Sequence, residues 1–172
     1  MGAVSSFLVH DAAIVTSDDA GTIVDLGWVY TVNDRIVEVG SGDVPRGRLL
    51  ADVVVDGTNM AVMPGMVNGH THLFQTFFRG LGDDKSLLDW LRDYIWPTAG
   101  EMTATEVGLA ATVGLIENLR TGATSVIDHQ YIHADPATDD AVCAAADRLG
   151  ATVSQIAFEP SATGPRVLQS YR

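Results

Sequence analysis

Hydrophobic and polar positions alternate in short runs through the first 60 residues of the chain, with the period of two that is typical of β-strands. Turn-forming pairs such as Asp18-Asp19 and Asn33-Asp34 separate these runs. The pattern predicts a small antiparallel sheet. Its strands are predicted at Phe7–Thr16, Leu26–Thr31, Arg35–Val39 and Val53–Asp56.

From Ala61 onward, apolar strand-like runs alternate with segments of helical period. Strands are predicted at Val62–Asn68, Thr124–Asp128 and Ala151–Phe158, and helices at Ser86–Ile95, at Ala104–Arg120 and from Asp135-Pro136 to Leu149. Successive strands joined by helices favour a parallel sheet with right-handed crossovers. The fold class is therefore α/β, and the segment Glu159–Arg172 carries no predicted element.

Local signals fix several ends of the predicted helices. Ser86 and Thr103 each stand three residues before an acidic residue, as in a capping box. Pro97 is expected to end the first helix, and Gly122 and Gly150 to end the second and third.

Composition narrows the possible partners. The 172 residues include 10 basic and 22 acidic side chains, which gives a net charge of −12 and argues against nucleic acid or an anionic membrane as partner. No apolar run approaches the roughly 20 residues that span a bilayer. Cys143 is the only cysteine and cannot form an internal disulfide, which fits a reducing compartment. We therefore expect a soluble, cytoplasmic protein.

The most specific chemical feature is His70-Thr71-His72, directly after the predicted strand Val62–Asn68. Residues two apart on an extended chain point to the same side, so both imidazoles are able to hold one metal ion. Sites in α/β folds also lie at the carboxyl ends of parallel strands. The spacing alone is a weak motif, and two hydrogen-bonded loop histidines are the alternative.

Several motifs occur together in a recognisable order. They are Met63–His72, Phe78-Arg79-Gly80, Leu87–Leu91, Ile95-Trp96-Pro97, Glu117–Ser125 and Asp128-His129. Over about residues 7 to 158 the chain resembles the amidohydrolase superfamily, in the branch of cytosine, guanine and 8-oxoguanine deaminases that also contains triazine hydrolases. Asn33–Gly40 is similar to the amino-terminal sheet of that branch.

The resemblance implies a partial (β/α)8 TIM-type barrel, of which the chain carries the first three strands, preceded by a small β-sandwich-type sheet. Residues 1–60 correspond to part of the composite β-sandwich, residues 61–158 to the first βα units, and residues 159–172 stay unassigned. A complete barrel takes roughly 250 residues. The chain is therefore expected to be an amino-terminal fragment that is inactive by itself.

The resemblance also implies a divalent metal, zinc or iron, that activates water for attack on a purine, pyrimidine or triazine-like heterocycle. His70 and His72 match the first two metal ligands of the family. The other ligands and the general acid and base follow later strands of the barrel, so they are expected beyond residue 172.

Other residues are open to more than one interpretation. Gln75 and His129 are candidate substrate-binding residues. The alternative for Gln75 is an ordinary loop amide. The alternatives for His129 are a hydrogen-bonded histidine at the rim of the barrel and a replacement for a missing metal ligand. Aromatic residues at 90, 94 and 96 are expected to pack in the core rather than line a pocket. Cys143 is expected to be a small core residue, and His10 and His133 to be structural.

Two rival functions stay open at this point. One is a non-catalytic remnant or interaction module, and the other is a metal-binding module in which His129 completes a site with His70 and His72. Three parallel strands leave two unpaired edges. A homo-oligomer or a complementing polypeptide chain is therefore expected.

Overall fold

The computed structural model describes residues 5–132, 135–157 and 166–168, and the chain divides into two compact units, residues 1–64 and 65–172. The strands are β1 (Ser6–Val15), β2 (Ile23–Val32), β3 (Arg35–Ser41), β4 (Val53–Asp56), β5 (Ala61–Val62), β6 (Met66–Thr71), β7 (Ala123–Gln130), β8 (Thr152–Ala157) and β9 (Arg166–Leu168). The α-helices are α1 (Leu87–Trp90), α2 (Trp96–Gly100), α3 (Ala104–Arg120) and α4 (Ala137–Leu149), with 3₁₀ turns at Arg48–Leu50 and Leu73–Phe78 and a π-helical turn at Leu91–Ile95.

The first unit is a five-stranded sheet in the order β3-β2-β1-β4, with β5 also paired to β1. The strands β1, β2 and β3 are antiparallel, as predicted, whereas β4 and β5 run parallel to β1. The prediction of a purely antiparallel sheet is therefore wrong. The connection from Ser41 to Val53 carries the chain back to the starting end of β1, which is the geometry that a parallel pair requires.

The second unit is built on a four-stranded sheet in the order β6-β7-β8-β9. Strands β6, β7 and β8 are parallel, which confirms the three predicted parallel strands. Apolar side chains of α3, α4 and the 3₁₀ turn after β6 form the main core against β7 and β8. This core includes Leu73, Phe74, Leu115, Val126, Val142 and Val153.

The predicted strand Val62–Asn68 is interrupted. Ala61–Val62 pairs with β1, whereas Met66–Thr71 pairs with β7 in the other sheet. Pro64 lies between the two segments and has no N–H to donate to a ladder. The second segment, β6, continues to Thr71, so it includes His70 and ends three residues beyond the predicted boundary at Asn68.

The first predicted helix continues past its predicted end. It begins with the Ser86 cap, whose hydroxyl accepts the Asp89 N–H at 3.4 Å, as the sequence indicates. The helix does not stop before Pro97, because a π-helical turn at Leu91–Ile95 shifts the backbone register. Pro97 then falls in the first turn of α2, where the missing N–H costs little.

Helix α3 has the predicted bounds and both predicted end signals. Thr103 and Glu106 form a reciprocal capping box, and Gly122 follows the helix with a φ of +93°. Helix α4 ends at Gly150, which adopts the left-handed conformation. These ends are set by contacts within a few residues, which is why the sequence predicts them well.

A short strand, β9, lies in the segment for which no element is predicted, and it pairs antiparallel with β8 over Gln155–Ala157. The outer edge of β8 is therefore covered along those residues, so the expectation of two open edges is wrong at β8. Among the described residues β6 pairs only with β7 and keeps one edge open. None of the helices in the described ranges is long and apolar enough to cross a membrane.

Gly114 and Gly108 of α3 provide a matched test of the packing around the turn that follows β6. A methyl group at Gly114 would lie 2.7 Å from Thr76 Oγ1 and 3.0 Å from Leu73 Cδ2, whereas one at Gly108 would lie 3.4 Å from the Ala141 methyl group. We expect Gly114→Ala to destabilise the fold by about 1–3 kcal/mol through overpacking. Gly108→Ala should be neutral or stabilising by up to about 1 kcal/mol through helix propensity. Urea unfolding measures both, and equal effects would contradict the contact.

The capping box predicts an acid-dependent loss of stability. Hydrogen bonds from the Thr103 backbone N–H and hydroxyl lower the pKa of Glu106 below its ordinary value of 4.5. A carboxyl whose pKa is lower in the folded state stabilises the fold above about pH 4.5, and this contribution is lost as the pH falls through the folded-state pKa. Urea midpoints between pH 3 and 6 should therefore depend less steeply on pH in Glu106→Gln than in the wild type.

Candidate functional site

The histidine pair lies at the carboxyl end of β6. The ring centroids of His70 and His72 are 4.8 Å apart and the rings are nearly perpendicular, at 85°. Thr71, between them, is the register partner of Asp128 on β7. Because paired residues in a parallel ladder face the same side, His70 and His72 belong to the opposite side, together with His129. The structure thus brings the three histidines to one end of the sheet.

A backbone carbonyl fixes the orientation of His72. Its Nδ1 lies 2.8 Å from the carbonyl oxygen of His129. A carbonyl oxygen only accepts hydrogen bonds, so Nδ1 carries a proton, and in the neutral imidazole Nε2 therefore keeps its lone pair. The imidazole is therefore held in the tautomer that a metal ligand needs at Nε2.

The His70 side of the loop is anchored to α3 through an asparagine pair. The His70 backbone N–H donates to Asn68 Oδ1 at 3.2 Å, and Asn68 Nδ2 donates to Asn118 Oδ1 at 2.8 Å. Asn118 in turn donates to the Gly114 carbonyl within the helix. The end of β6 is thereby tied to both β7 and α3.

The ring of His129 also lies near the histidine pair. Its ring centroid lies 5.2 Å from that of His72. Burial lowers the pKa of His129, and positive charge on His72 and His70 would lower that pKa further, so the ring is neutral at neutral pH. In the described part of the chain, no set of three ligand atoms within 4.8 Å of one another includes these histidines.

One such set does occur in the first unit. It consists of His10, Asp11 and Asp56, whose ligand atoms lie within 4.8 Å of one another. His10 Nδ1 is 2.8 Å from an Asp11 carboxylate oxygen, and Asp56 accepts hydrogen bonds from both the backbone and the hydroxyl of Thr58. His10 is thus paired with Asp11, and the Asp56 carboxylate with Thr58, within the first unit.

A groove of about 500 Å³ opens beside the histidine pair. Its wall is mostly apolar and aromatic. The lining residues are His70, His72, Gln75, Leu87, Trp90, Leu91, Trp96, His129 and Tyr131. Trp96 is 47% exposed, so the expectation that it packs in the core is wrong. Trp90 both packs against the core and lines the groove, and its indole N–H donates to the Leu81 carbonyl at 2.6 Å.

Tyr131 is a groove residue that the sequence analysis missed. Its hydroxyl accepts a hydrogen bond from Gln75 Nε2, and its ring centroid lies 5.1 Å from that of His72 and 5.6 Å from that of His129. Burial raises the pKa of Tyr131, so the phenol stays protonated near neutral pH. Its position two residues after His129 on an extended chain is the signal that indicates a shared side.

A second groove of about 400 Å³ shares His70, His72 and Gln75 and includes Arg79. The Arg79 guanidinium forms two hydrogen bonds to the Glu117 carboxylate, one of them at 2.7 Å. This pairing holds the pKa of Glu117 below its ordinary value. The positive charge at this groove is therefore already paired with an acid of α3.

Two remaining sequence candidates lie away from the groove or outside the description. Cys143 is only partly buried, and its thiol lies 3.6 Å from Gln155 Oε1, so it is not the small core residue that was expected. Burial raises the pKa of the Cys143 thiol. His133 falls outside the described residues.

The donor set at the end of β6 fits part of a zinc or iron site. The imidazoles of His70 and His72 lie side by side. Because Nδ1 of His72 contacts the His129 carbonyl, Nε2 is the nitrogen that is left to bind a metal. Catalytic zinc usually takes three protein ligands. Two imidazoles would fill two of those three positions.

Comparison with known proteins places the chain in a family. A model described as Amidohydrolase family matches residues 61–168, which is more than half of the chain. The chain belongs to the amidohydrolase family. The match includes the histidine pair, every lining residue of the 500 Å³ groove and all three parallel strands.

The amidohydrolase chain is similar in sequence to deaminases. It is 39% identical over 143 residues to a 5-methylthioadenosine/S-adenosylhomocysteine deaminase of Nitratidesulfovibrio vulgaris, a match that covers 83% of this chain and 31% of that protein. It is 36% identical over 132 residues to a 5'-deoxyadenosine deaminase of Methanosarcina barkeri, covering 76% of this chain and 29% of that protein. The chain thus spans about a third of the length of these relatives.

Solved structures share its fold. An adenosine deaminase from Xanthomonas campestris with bound zinc has a TM-score of 0.75 at 28% identity, over 87% of this chain and 33% of that one. An atrazine chlorohydrolase from Arthrobacter aurescens complexed with zinc has a TM-score of 0.74 at 24% identity, over 88% of this chain and 35% of that one. The amidohydrolase chain is therefore a mixed α/β structure similar to that part of both enzymes.

Zinc binding tests the histidine pair directly. With two imidazole ligands, the 172-residue chain should bind Zn²⁺ weakly and lose it on dialysis. His70→Ala and His72→Ala should each weaken binding further, whereas His129→Ala should leave it nearly unchanged. His10→Ala is the matched control for the set in the first unit. Tight, stoichiometric zinc that survives dialysis and depends on His129 would contradict this assignment.

Proposed function

We propose that this chain forms the first three βα units of a (β/α)8 barrel and carries part of the active site of a metal-dependent hydrolytic deaminase. The observation that carries the proposal is the histidine pair beside an aromatic groove, in a chain 39% identical to a 5-methylthioadenosine/S-adenosylhomocysteine deaminase. Residues 61–158 are the barrel segment in this proposal, and residues 1–60 belong to a separate β-sandwich-type sheet.

His70 and His72 are the proposed ligands of a divalent metal, with zinc favoured and iron the alternative. Zinc is named in two of the structures that share the fold. A divalent metal of this kind, when bound, supplies a Lewis acid that makes water nucleophilic near neutral pH. The chain's own contribution is to hold two imidazoles in place and to orient the His72 ring through the His129 carbonyl, so that in the neutral ring the proton lies on Nδ1 and Nε2 is left for the metal.

The proposed substrate is an uncharged, flat heterocycle such as an adenine-type purine. Trp90 and Trp96 offer aromatic surface for a ring to stack on. Gln75 and Tyr131 offer an amide and a hydroxyl for its polar edge, and neutral His129 lies close to His72. Among the described residues that line this groove there is no Lys or Arg, which favours a nucleoside over a nucleotide.

Association with further strands is part of the proposal. The edge strand β6 has one partner among the described residues, and Val67 on that strand is 67% exposed. Parallel strands are normally buried on both faces. A complementing polypeptide segment or a second copy of the chain would cover this surface. The acidic charge and the single cysteine support a cytoplasmic location.

A chimera tests the deaminase proposal. The 172 residues replace the corresponding third of the Nitratidesulfovibrio vulgaris relative, and ammonia release from 5-methylthioadenosine is measured. The chimera should turn over substrate, and His72→Ala in the chimera should abolish turnover because one proposed metal ligand is lost. The 172-residue chain alone should show negligible activity.

The controls separate deamination from the rival functions. His10→Ala should leave the activity of the chimera intact, because His10 lies outside the barrel segment. A folded chimera that binds zinc yet releases no ammonia would support a non-catalytic module instead. Family-like turnover by the 172-residue chain alone, lost in His70→Ala, would show that the site is complete without further ligands.

A further inference from the structure

The 3₁₀ turn that follows the histidine pair lacks a local cap. Its first residue is Leu73, and the preceding residue, His72, makes no side-chain capping bond. The first N–H groups of a helical turn have no partner within the turn and need one elsewhere. Here the Leu73 N–H donates to Asp128 Oδ1 at 2.8 Å. A carboxylate from β7 thus takes the place of a cap that the histidine does not provide.

The next residue of β7 holds the ring of the same histidine. The His129 carbonyl accepts from His72 Nδ1 at 2.8 Å. Asp128 and His129, which are consecutive on β7, therefore form hydrogen bonds at two points around His72. One is the Leu73 N–H that follows it, and the other is the imidazole itself. Two attachments on different atoms restrict both the backbone and the side-chain torsions of the histidine.

We propose that Asp128 is a positioning residue of the metal site, which sets the orientation of His72 through the Leu73 N–H. With the backbone fixed there, Nδ1 stays at the His129 carbonyl and Nε2 is left for the metal. The inference rests on the proposed role of His72 as a metal ligand. Its hydrogen-bond consequences hold for the metal-free chain as well.

The burial of Asp128 supports a specific role for its carboxylate. Its side chain is completely buried, and removing a carboxyl group from water is costly unless its oxygens are used. A purely packing role would be served by an apolar side chain of similar size. The experiment must therefore distinguish a packing role of Asp128 from the proposed positioning role.

Three variants of the full 172-residue chain make the test. Asp128→Asn keeps an acceptor oxygen in the same place, and Asp128→Ala removes it. Gln130→Ala is the matched control, since Gln130 lies two residues further on the same strand, is 1% exposed, and donates a long hydrogen bond of 3.4 Å to the Ile132 carbonyl.

Three readouts follow the position of His72 without any turnover. Nitrogen-15 NMR of the imidazole reports the tautomer, amide hydrogen exchange reports the Leu73 N–H, and titration with Zn²⁺ gives the dissociation constant. In Asp128→Ala we expect a mixture of His72 tautomers, faster Leu73 exchange and zinc affinity lower by about 10- to 100-fold. Asp128→Asn and Gln130→Ala should resemble the wild type in all three.

Opposite results would overturn the inference. One such result is an Asp128→Ala chain that keeps the wild-type tautomer and zinc affinity. The other is a Gln130→Ala chain in which tautomer and zinc affinity change as much as in Asp128→Ala. If Asp128→Ala does not fold, Asp128→Ser replaces it, because serine is polar but too short to reach the Leu73 N–H. If that variant also fails to fold, Asp128 is a packing residue and the proposal is wrong. Failure of the chimera assay would leave these readouts unaffected.

Discussion

The pairing of β6 with β7 is the interaction on which the candidate site depends. The ladder places Thr71 beside Asp128 after an irregular step, and this register decides which side each histidine faces. A slip of one residue would turn His70 and His72 toward the helix layer, where Asp128 is buried. The same pairing brings the His129 carbonyl to the His72 ring. Fold and site are therefore set by one set of main-chain hydrogen bonds.

The sequence predicts those elements whose ends are fixed by nearby residues. The capping box of Thr103 and Glu106 and the left-handed Gly150 are local devices, and the helices they bound were predicted closely. The parallel pairing of β4 with β1 joins residues more than forty positions apart, with Phe7 beside Val53. No local periodicity carries that information, so the sheet was predicted as antiparallel throughout.

The candidate site shows the same division between local and distant information. The spacing of His70 and His72 on an extended chain is local, and the structure does place the two rings together. The partner of His72 Nδ1 is a carbonyl 57 positions away, and the partner of Gln75 is Tyr131, 56 positions away. Every residue has a main-chain carbonyl, so the residue type at position 129 does not indicate that its carbonyl accepts this hydrogen bond. The tautomer of His72 could thus be inferred only from coordinates.

On the sheet of the second unit, the burial that stabilises the fold and the exposure of the histidine side chains are opposing requirements. One side of β7 is covered by α3 and α4, and buried residues such as Val126 and Asp128 lie there. His70 belongs to the other side, and on β6 Val67 is largely exposed. Exposed apolar surface on a parallel strand gives up hydrophobic stabilisation. It also leaves the imidazoles accessible, as the proposed metal and flat ligand would require, whereas a fully buried strand end would exclude both. The buried Asp128 carboxylate and the His129 carbonyl on β7 add two hydrogen bonds at that open strand end, at the Leu73 N–H and at the His72 ring.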